Sequence, residues 1–257
     1  MMASSVAWRT SFVLIFLLVV APAATRVAAT RPMGAPIDAN GTGAGVFVLS
    51  DEPRIYYLRG LATRDEVERS FIRLAKPSMK QSGLSYGKDE AEGQRESDKE
   101  RGVRSSYGAW VTRTMDHEGI VDRIEQKIAM LTGVHIDNGE SWNVLKYEHN
   151  QHYAHHFDYF DPINFPEVAK NNRIATVLLY LHKPDKGGHT IFPNAGPTGY
   201  RATGHFINEY DSCDHGLKFV AEPGDGILFF SQDPGLIVDE MSLHGGCPVE
   251  NGTKWGE

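Results

Sequence analysis

The chain has 257 residues, 41% of them hydrophobic, and a formal net charge of −7. That length and apolar content allow one sizeable hydrophobic core, and two cysteines, Cys213 and Cys247, exclude a disulfide-stapled miniprotein. Arg9, Arg26 and Arg31 precede the first acidic residue, Asp38, so the rest of the chain carries 23 basic against 33 acidic side chains. An acidic body without a lysine and arginine cluster excludes nucleic acid as a partner.

Arg9 is followed by an apolar run at residues 12–21, shorter than the roughly 20 residues a membrane-spanning helix needs. Small residues at 21–29 offer cleavage sites, so residues 1–29 read as an export signal, with a retained type II membrane anchor as the alternative. This places the protein in the secretory pathway, in the lumen of the endoplasmic reticulum or Golgi. There Cys213 and Cys247 could pair, closing a 34-residue loop worth ~2 to 4 kcal/mol, or remain two buried thiols. Glycosylation sequons stand at Asn40 and Asn251. Asn40 is the expected acceptor, because Asn251 lies three residues before Lys254, which is assigned to the active site below.

Residues 30–52 are rich in Ala, Gly, Thr and Pro and read as a stem or linker, leaving residues 53–257 as one domain. Residues 53–58 read as a strand. Thr63 with Glu66 three residues on is a capping box, opening a helix with Val67, Phe71, Leu74 and Ala75 on its apolar stripe and Pro77 after its end. The polar stretch at 78–101 has too little apolar surface to order itself. A second helix follows from Ile120, Ile124, Ile128 and Leu131, with Gly133 placed to cap it.

After Gly139 the pattern changes to short segments rich in β-branched and aromatic residues: 142–147, 174–181, 190–192, 217–221, 227–231, and a final pair around the Asn251 and Gly252 turn. Residues 174–181 are apolar on both faces and belong in the middle of a sheet. Many short strands after two helices predict a mainly β fold with flanking helices, a sandwich or jelly roll with the helices packed outside one sheet.

His156 and Asp158 are separated by one residue, which in an extended segment puts both side chains on one face. Such a triplet is weak alone, since about one is expected by chance in a chain of this composition, and His135 and Asp137 form another. His135 follows a helix end in a turn-like stretch and reads as a surface residue, whereas His156 follows the strand at 142–147. Downstream, His244 stands in SLHGGCP, and Lys254 comes ten residues later in GTKW. Two imidazoles and one carboxylate on a face of an octahedron leave open positions, the arrangement of non-haem Fe(II) oxygenases. A keto acid and O2 would fill those positions, and a buried lysine would pair with the distal carboxylate of the keto acid. The clustered His149, His152 and His155 read as facing solvent or the entrance.

The segments RSSYGAW, NGESWNVLKYE, HFDYF, RIATVLLYL, GGHTIFPNA, GLKFVAEPGDGILFF, SLHGGCPV and NGTKW resemble the prolyl 4-hydroxylases of plants and algae, in order from Pro53 to Trp255. The resemblance implies a double-stranded β-helix (jelly roll) core and an Fe(II)- and 2-oxoglutarate-dependent dioxygenase using O2 and ascorbate. It implies His156, Asp158 and His244 as iron ligands, Lys254, Tyr147 and Thr190 as 2-oxoglutarate contacts, and Arg104, Ser106, Trp110, Glu140, Tyr153 and Arg173 as the lining of a groove for an extended proline-rich peptide. The implied partners are proline-rich peptides or hydroxyproline-rich glycoproteins. This chain has no second Lys-Trp pair after Trp255, and His155 stands where the family often has proline. Two further readings follow: a dioxygenase for another peptide side chain such as lysine, and a peptide-binding jelly roll without turnover.

Overall fold

The computed structural model describes residues 44–83, 103–196 and 213–256. The expected export signal, Asn40 and most of the polar stretch at 78–101 lie outside these residues.

Among the described residues, fourteen strands form the body: β1 Gly45–Ser50, β2 Ile55–Arg59, β3 Lys80–Gln81, β4 Tyr107–Val111, β5 Trp142–Tyr147, β6 Tyr153–His156, β7 Ala175–His182, β8 Lys186–Gly187, β9 Thr190–Phe192, β10 Leu217–Phe219, β11 Gly226–Phe230, β12 His244–Gly246, β13 Val249–Asn251 and β14 Lys254–Gly256. An eight-stranded sheet runs β1-β2-β11-β7-β14-β5-β4-β3, a four-stranded sheet runs β10-β9-β12-β6, and β13 pairs with β8. All the strand pairs are antiparallel. This is the jelly roll, with the helices on the outer face of the larger sheet.

Alternation along the strands sorts the core into two layers. Leu179 and Leu181 of β7, Leu228 of β11, Leu58 of β2 and Val144 of β5 pack outward against Val67, Phe71, Val121 and Ile124 of the helices. Tyr180, Ile227, Phe229 and Ile55 point the other way and meet Phe192 of the smaller sheet. β7 lies between β11 and β14 and is covered on both faces, which is why its sequence is apolar throughout.

The first helix opens with the expected capping box, Thr63 Oγ1 accepting from Glu66 N at 3.3 Å and Thr63 N donating to Glu66 Oε2 at 2.8 Å. It is not one continuous α-helix. α1 (Arg64–Val67) passes into a π-helical turn at Glu68–Ile72 before α2 (Arg73–Ala75). The wider turn brings Ser70, Phe71 and Ile72, three consecutive residues, into the core, where a regular helix would turn one of them to solvent. α3 (Ile120–Thr132) ends as expected at Gly133, in the left-handed region at φ 71°, with its N–H donating to Ala129 O.

Two boundaries differ from the sequence reading. Gly45–Ser50, inside the expected linker of residues 30–52, is β1: Val46 packs into the helix-facing core, Leu49 into the inner one, and Phe47 stacks on Tyr57 at 5.8 Å. β13 and β14 do not pair with each other around Asn251 and Gly252, because β13 joins β8 while β14 enters the large sheet between β5 and β7. Cys213 and Cys247 form a disulfide, the first of the two alternatives.

Candidate active site

β6 and β12 are antiparallel neighbours with His156 directly opposite His244. Register alone therefore brings together two imidazoles 88 residues apart in the chain, with ring centroids 4.4 Å apart. Asp158, two residues after His156, completes the cluster. Its Oδ1 lies 3.6 Å from His156 Nε2 and its Oδ2 lies 3.5 Å from His244 Nε2. The candidate ligand atoms of the three residues all fall within 4.8 Å of one another.

Each imidazole is oriented by its other nitrogen. His156 Nδ1 is 2.8 Å from Ala154 O and His244 Nδ1 is 3.0 Å from Ser242 O. A carbonyl only accepts, so both Nδ1 atoms carry the proton and both Nε2 lone pairs face the cluster. Tyr153 stacks on His156 at 3.6 Å and Phe229 covers His244 at 4.5 Å. Burial pushes the His244 imidazole down to about 4, against the pull of Asp158, so it is neutral and able to ligate at neutral pH. Burial alone would raise the Asp158 carboxyl, but the imidazoles of His244 and His156 and the hydroxyl of Thr176 outweigh it and hold the carboxyl well below the usual carboxylate range. Two imidazole nitrogens and one carboxylate gathered this closely fit Fe(II).

Two features of the surroundings were not legible as site residues. Thr176 of β7 donates to Asp158 Oδ2 at 2.7 Å. Gly245 leaves β12 without a side chain where a Cβ would come within 2.7 Å of His155 Cδ2 and 3.1 Å of Tyr153 O, so the two ligand strands close up only with glycine there.

The second part of the site centres on Lys254. Its register partner on β5 is Tyr147, and its Nζ lies 5.5 Å from the Tyr147 ring and 5.7 Å from that of Tyr180. Lys254 is 5% exposed and has no acidic partner among the described residues. Burial pushes its ammonium down to about 8. A buried cation without a counter-ion is costly and favours an anionic ligand. Tyr180, a further residue missed by the sequence reading, shares a hydrogen bond of 2.7 Å with Thr190 Oγ1. Thr190 sits opposite Gly246, two residues from His244, and its bond to Tyr180 links this strand to the surroundings of the lysine.

The remaining expected residues divide around the cluster. Arg104 lies over the Tyr153 ring at 4.4 Å and donates from Nε to Ser106 Oγ at 3.2 Å, which puts these three residues beside His156. Arg173 makes a two-point contact with Glu140 at 2.5 and 2.9 Å and donates to Asp158 O at 3.2 Å, on the Asp158 side. Trp110 is apart from both groups, 54% exposed on β4 and opposite Asn143, on the sheet face that also carries Tyr147. His135 and Asp137 are an exposed local pair at 3.6 Å, as expected of a surface turn. His149 is exposed and contacts Glu250 O, while His152 and His155 are half-buried, the latter against Gly245.

Residues 142–256, which contain the triad and Lys254, match the family model of the 2OG-Fe(II) oxygenase superfamily. Over 221 residues the chain is 40% identical to prolyl 4-hydroxylase 5 of Arabidopsis thaliana, covering 85% of this chain and 72% of that one. It is 37% identical over 213 residues to probable prolyl 4-hydroxylase 9 of the same plant, covering 81% and 68%. The viral collagen prolyl hydroxylase of Paramecium Bursaria Chlorella virus-1, solved as a 2OG complex, shares the fold with a TM-score of 0.51 and 21% identity, over 79% of this chain and 92% of that one. With this extent of identity to its plant relatives, the chain belongs to the prolyl 4-hydroxylases of the 2OG-Fe(II) oxygenase superfamily.

Proposed function

We propose that the protein hydroxylates C4 of proline in proline-rich secreted proteins, coupled to oxidative decarboxylation of 2-oxoglutarate to succinate and CO2. The observation that carries this reading is a buried lysine with no acidic partner among the described residues, in the same jelly roll as a cluster of two imidazoles and one carboxylate. His156, Asp158 and His244 hold the iron, which with O2 and 2-oxoglutarate supplies the oxidising chemistry. Lys254 pairs with the distal carboxylate of 2-oxoglutarate, and Thr190, Tyr147 and Tyr180 shape the channel between lysine and metal. Ascorbate would supply the reducing equivalents that keep a bound iron ferrous.

On the protein side, the work is binding and positioning. Tyr153 on His156 and Phe229 against His244 hold the two imidazoles in place. Arg104 and Tyr153 beside His156 and the Glu140 and Arg173 pair beside Asp158 border the ligand loop, Ser106 holds Arg104 from a buried position, and Trp110 offers an exposed aromatic face. Such surfaces suit a peptide already stiff in the polyproline II form, whose carbonyls accept from arginine and whose rings stack on aromatics. The site of action is the lumen of the endoplasmic reticulum or Golgi, with residues 1–29 as signal or membrane anchor.

The test is mass spectrometry of a poly-proline peptide incubated with the protein, Fe(II), 2-oxoglutarate and ascorbate. One oxygen gained on proline, with matching succinate and loss of both in His156→Ala, is the expected result. Oxygen gained instead on lysine in a mixed peptide panel would move the substrate class. Tight peptide binding with no succinate would mean a binding module.

A further inference from the structure

By chain distance, Asn251 is three residues from Lys254, and a glycan there would crowd the co-substrate pocket. The geometry separates them. β13 ends at Asn251 in the small sheet with β8, and the chain turns at Gly252 before β14 enters the large sheet. Gly252 adopts φ +82°, and a Cβ there would come within 2.9 Å of Asp185 N, so the turn requires glycine. Asp185 N donates to Asn251 O at 3.1 Å, Gly252 N donates to Asn251 Oδ1 at 3.0 Å, and His182 Nδ1 donates to Thr253 O at 2.8 Å.

The turn is thus held through Oδ1 and the main chain, while Asn251 Nδ2 makes no hydrogen bond among the described residues. Asn251 is exposed, as are its neighbours Glu250, Gly252 and Lys186, the last paired with Glu250 at 2.5 Å. Lys254, by contrast, is buried with its ammonium between the rings of Tyr147 and Tyr180. Asn251 and Lys254 therefore serve opposite sides of the turn. Asn251-Gly252-Thr253 is a complete acceptor sequon with no proline at its centre. The Cys213–Cys247 disulfide independently suits the oxidising compartment in which such sequons are used.

We propose that Asn251 accepts an N-linked oligosaccharide when the chain passes through a glycosylating lumen, a step that rests on the secretory reading above. The donor class is a lipid-pyrophosphate-linked oligosaccharide. A bond forms between Asn251 Nδ2 and C1 of the first sugar, the bond from C1 to the pyrophosphate oxygen breaks, Nδ2 releases one proton, and the lipid pyrophosphate leaves with the electron pair. No group is oxidised or reduced. The glycan projects from the β13 and β8 edge and leaves the 2-oxoglutarate pocket open.

The experiment produces the full chain in insect cells, once behind its own N-terminus and once behind a cleavable export leader. Peptide mapping without reduction reads the disulfide, and glycosidase release in heavy-oxygen water reads Asn251. The expected result for the exported form is an intact disulfide and a labelled aspartate at position 251, lost in Asn251→Gln and Thr253→Ala and kept in Thr253→Ser. An exported, disulfide-bonded chain with unmodified Asn251 overturns the proposal. So does a change in 2-oxoglutarate affinity on glycan removal, because the outward placement predicts none. If only the leader-driven form is glycosylated, the acceptor site stands and the secretory reading of the native N-terminus fails.

Discussion

Thr176→Val tests whether the metal site depends on the sheet behind it. The substitution keeps the β-branched shape that suits β7 and removes the hydroxyl that donates to Asp158 Oδ2 at 2.7 Å. A hydrogen bond to a charged acceptor is worth ~1.5 to 3 kcal/mol, and the group left behind here is the ligand carboxylate itself. Each ~1.4 kcal/mol is a factor of ten, so the loss predicts metal binding weakened about 10- to 100-fold, the range typical for partners that orient a ligand. The assay is competition of a chromophoric chelator against the protein for Co(II) or anaerobic Fe(II), with circular dichroism as the control for folding. Thr176→Ser restores the donor and should restore most of the affinity. Wild-type affinity in the valine variant would refute the reasoning, since the carboxylate would then be held by the imidazoles and the backbone alone.

Lys254 loses its proton as pH rises through about 8, so the cation is largely present at pH 7 and largely absent at pH 9. Affinity for 2-oxoglutarate, measured calorimetrically with Ni(II) in place of iron, should fall by about tenfold between those values; Lys254→Arg should flatten the profile, and a flat wild-type profile would remove the lysine from the carboxylate. Gly245→Ala would place a Cβ 2.7 Å from His155 Cδ2. Prising β6 from β12 should cost about 1 to 3 kcal/mol and lower melting temperature and metal affinity together, whereas a loss of neither would show that the strands have room to spare. Phe71→Ala removes a fully buried ring that meets Trp142 edge-on at 5.0 Å. It should destabilise the fold by about 3 to 5 kcal/mol in urea unfolding without altering the metal affinity of the protein that remains folded.

The metal cluster was legible through the resemblance rather than through spacing, because a His-x-Asp triplet arises by chance and nothing in it points to His244; the structure puts Asp158 in a bend just past the end of β6. The disulfide was legible only as a choice, since two cysteines in an oxidising compartment either pair or stay apart, and spacing does not decide between them. Thr176 and Tyr180 were hidden by the feature that marked β7 as central. A strand apolar on both faces gives no sign of which face looks into the cavity, so the threonine and the tyrosine read as filler in a buried run. β1 was hidden by its neighbours, six residues of strand beside a segment rich in glycine and alanine. The π-helical turn was hidden because a 3.6-residue stripe through Val67, Phe71 and Ala75 is satisfied whether or not one more residue is accommodated between them.

β7 also explains why the two halves of the site are set together. Thr176, Leu178 and Tyr180 alternate with Val177, Leu179 and Leu181, so the first three face inward while the others pack under the helices. Thr176 supports the carboxylate of the metal cluster, and four residues on, Tyr180 touches Thr190 and borders Lys254. At ~3.4 Å per residue, one strand spaces these ends by ~14 Å between Cα atoms, with both side chains on the same face. Lys254 is tied to the same strand, because β14 pairs with β7 through Trp255 opposite His182 and Gly256 opposite Tyr180. A slip of β7 by one residue would turn Thr176 and Tyr180 into the helix layer and Val177 and Leu179 into the cavity, losing the metal support and the lysine surroundings in one step. The pairings of β7 with β11 and β14, Thr176 opposite Phe229 and Tyr180 opposite Gly256, hold it against that slip, so the sheet that builds the jelly roll also sets where the metal support and the lysine surroundings stand.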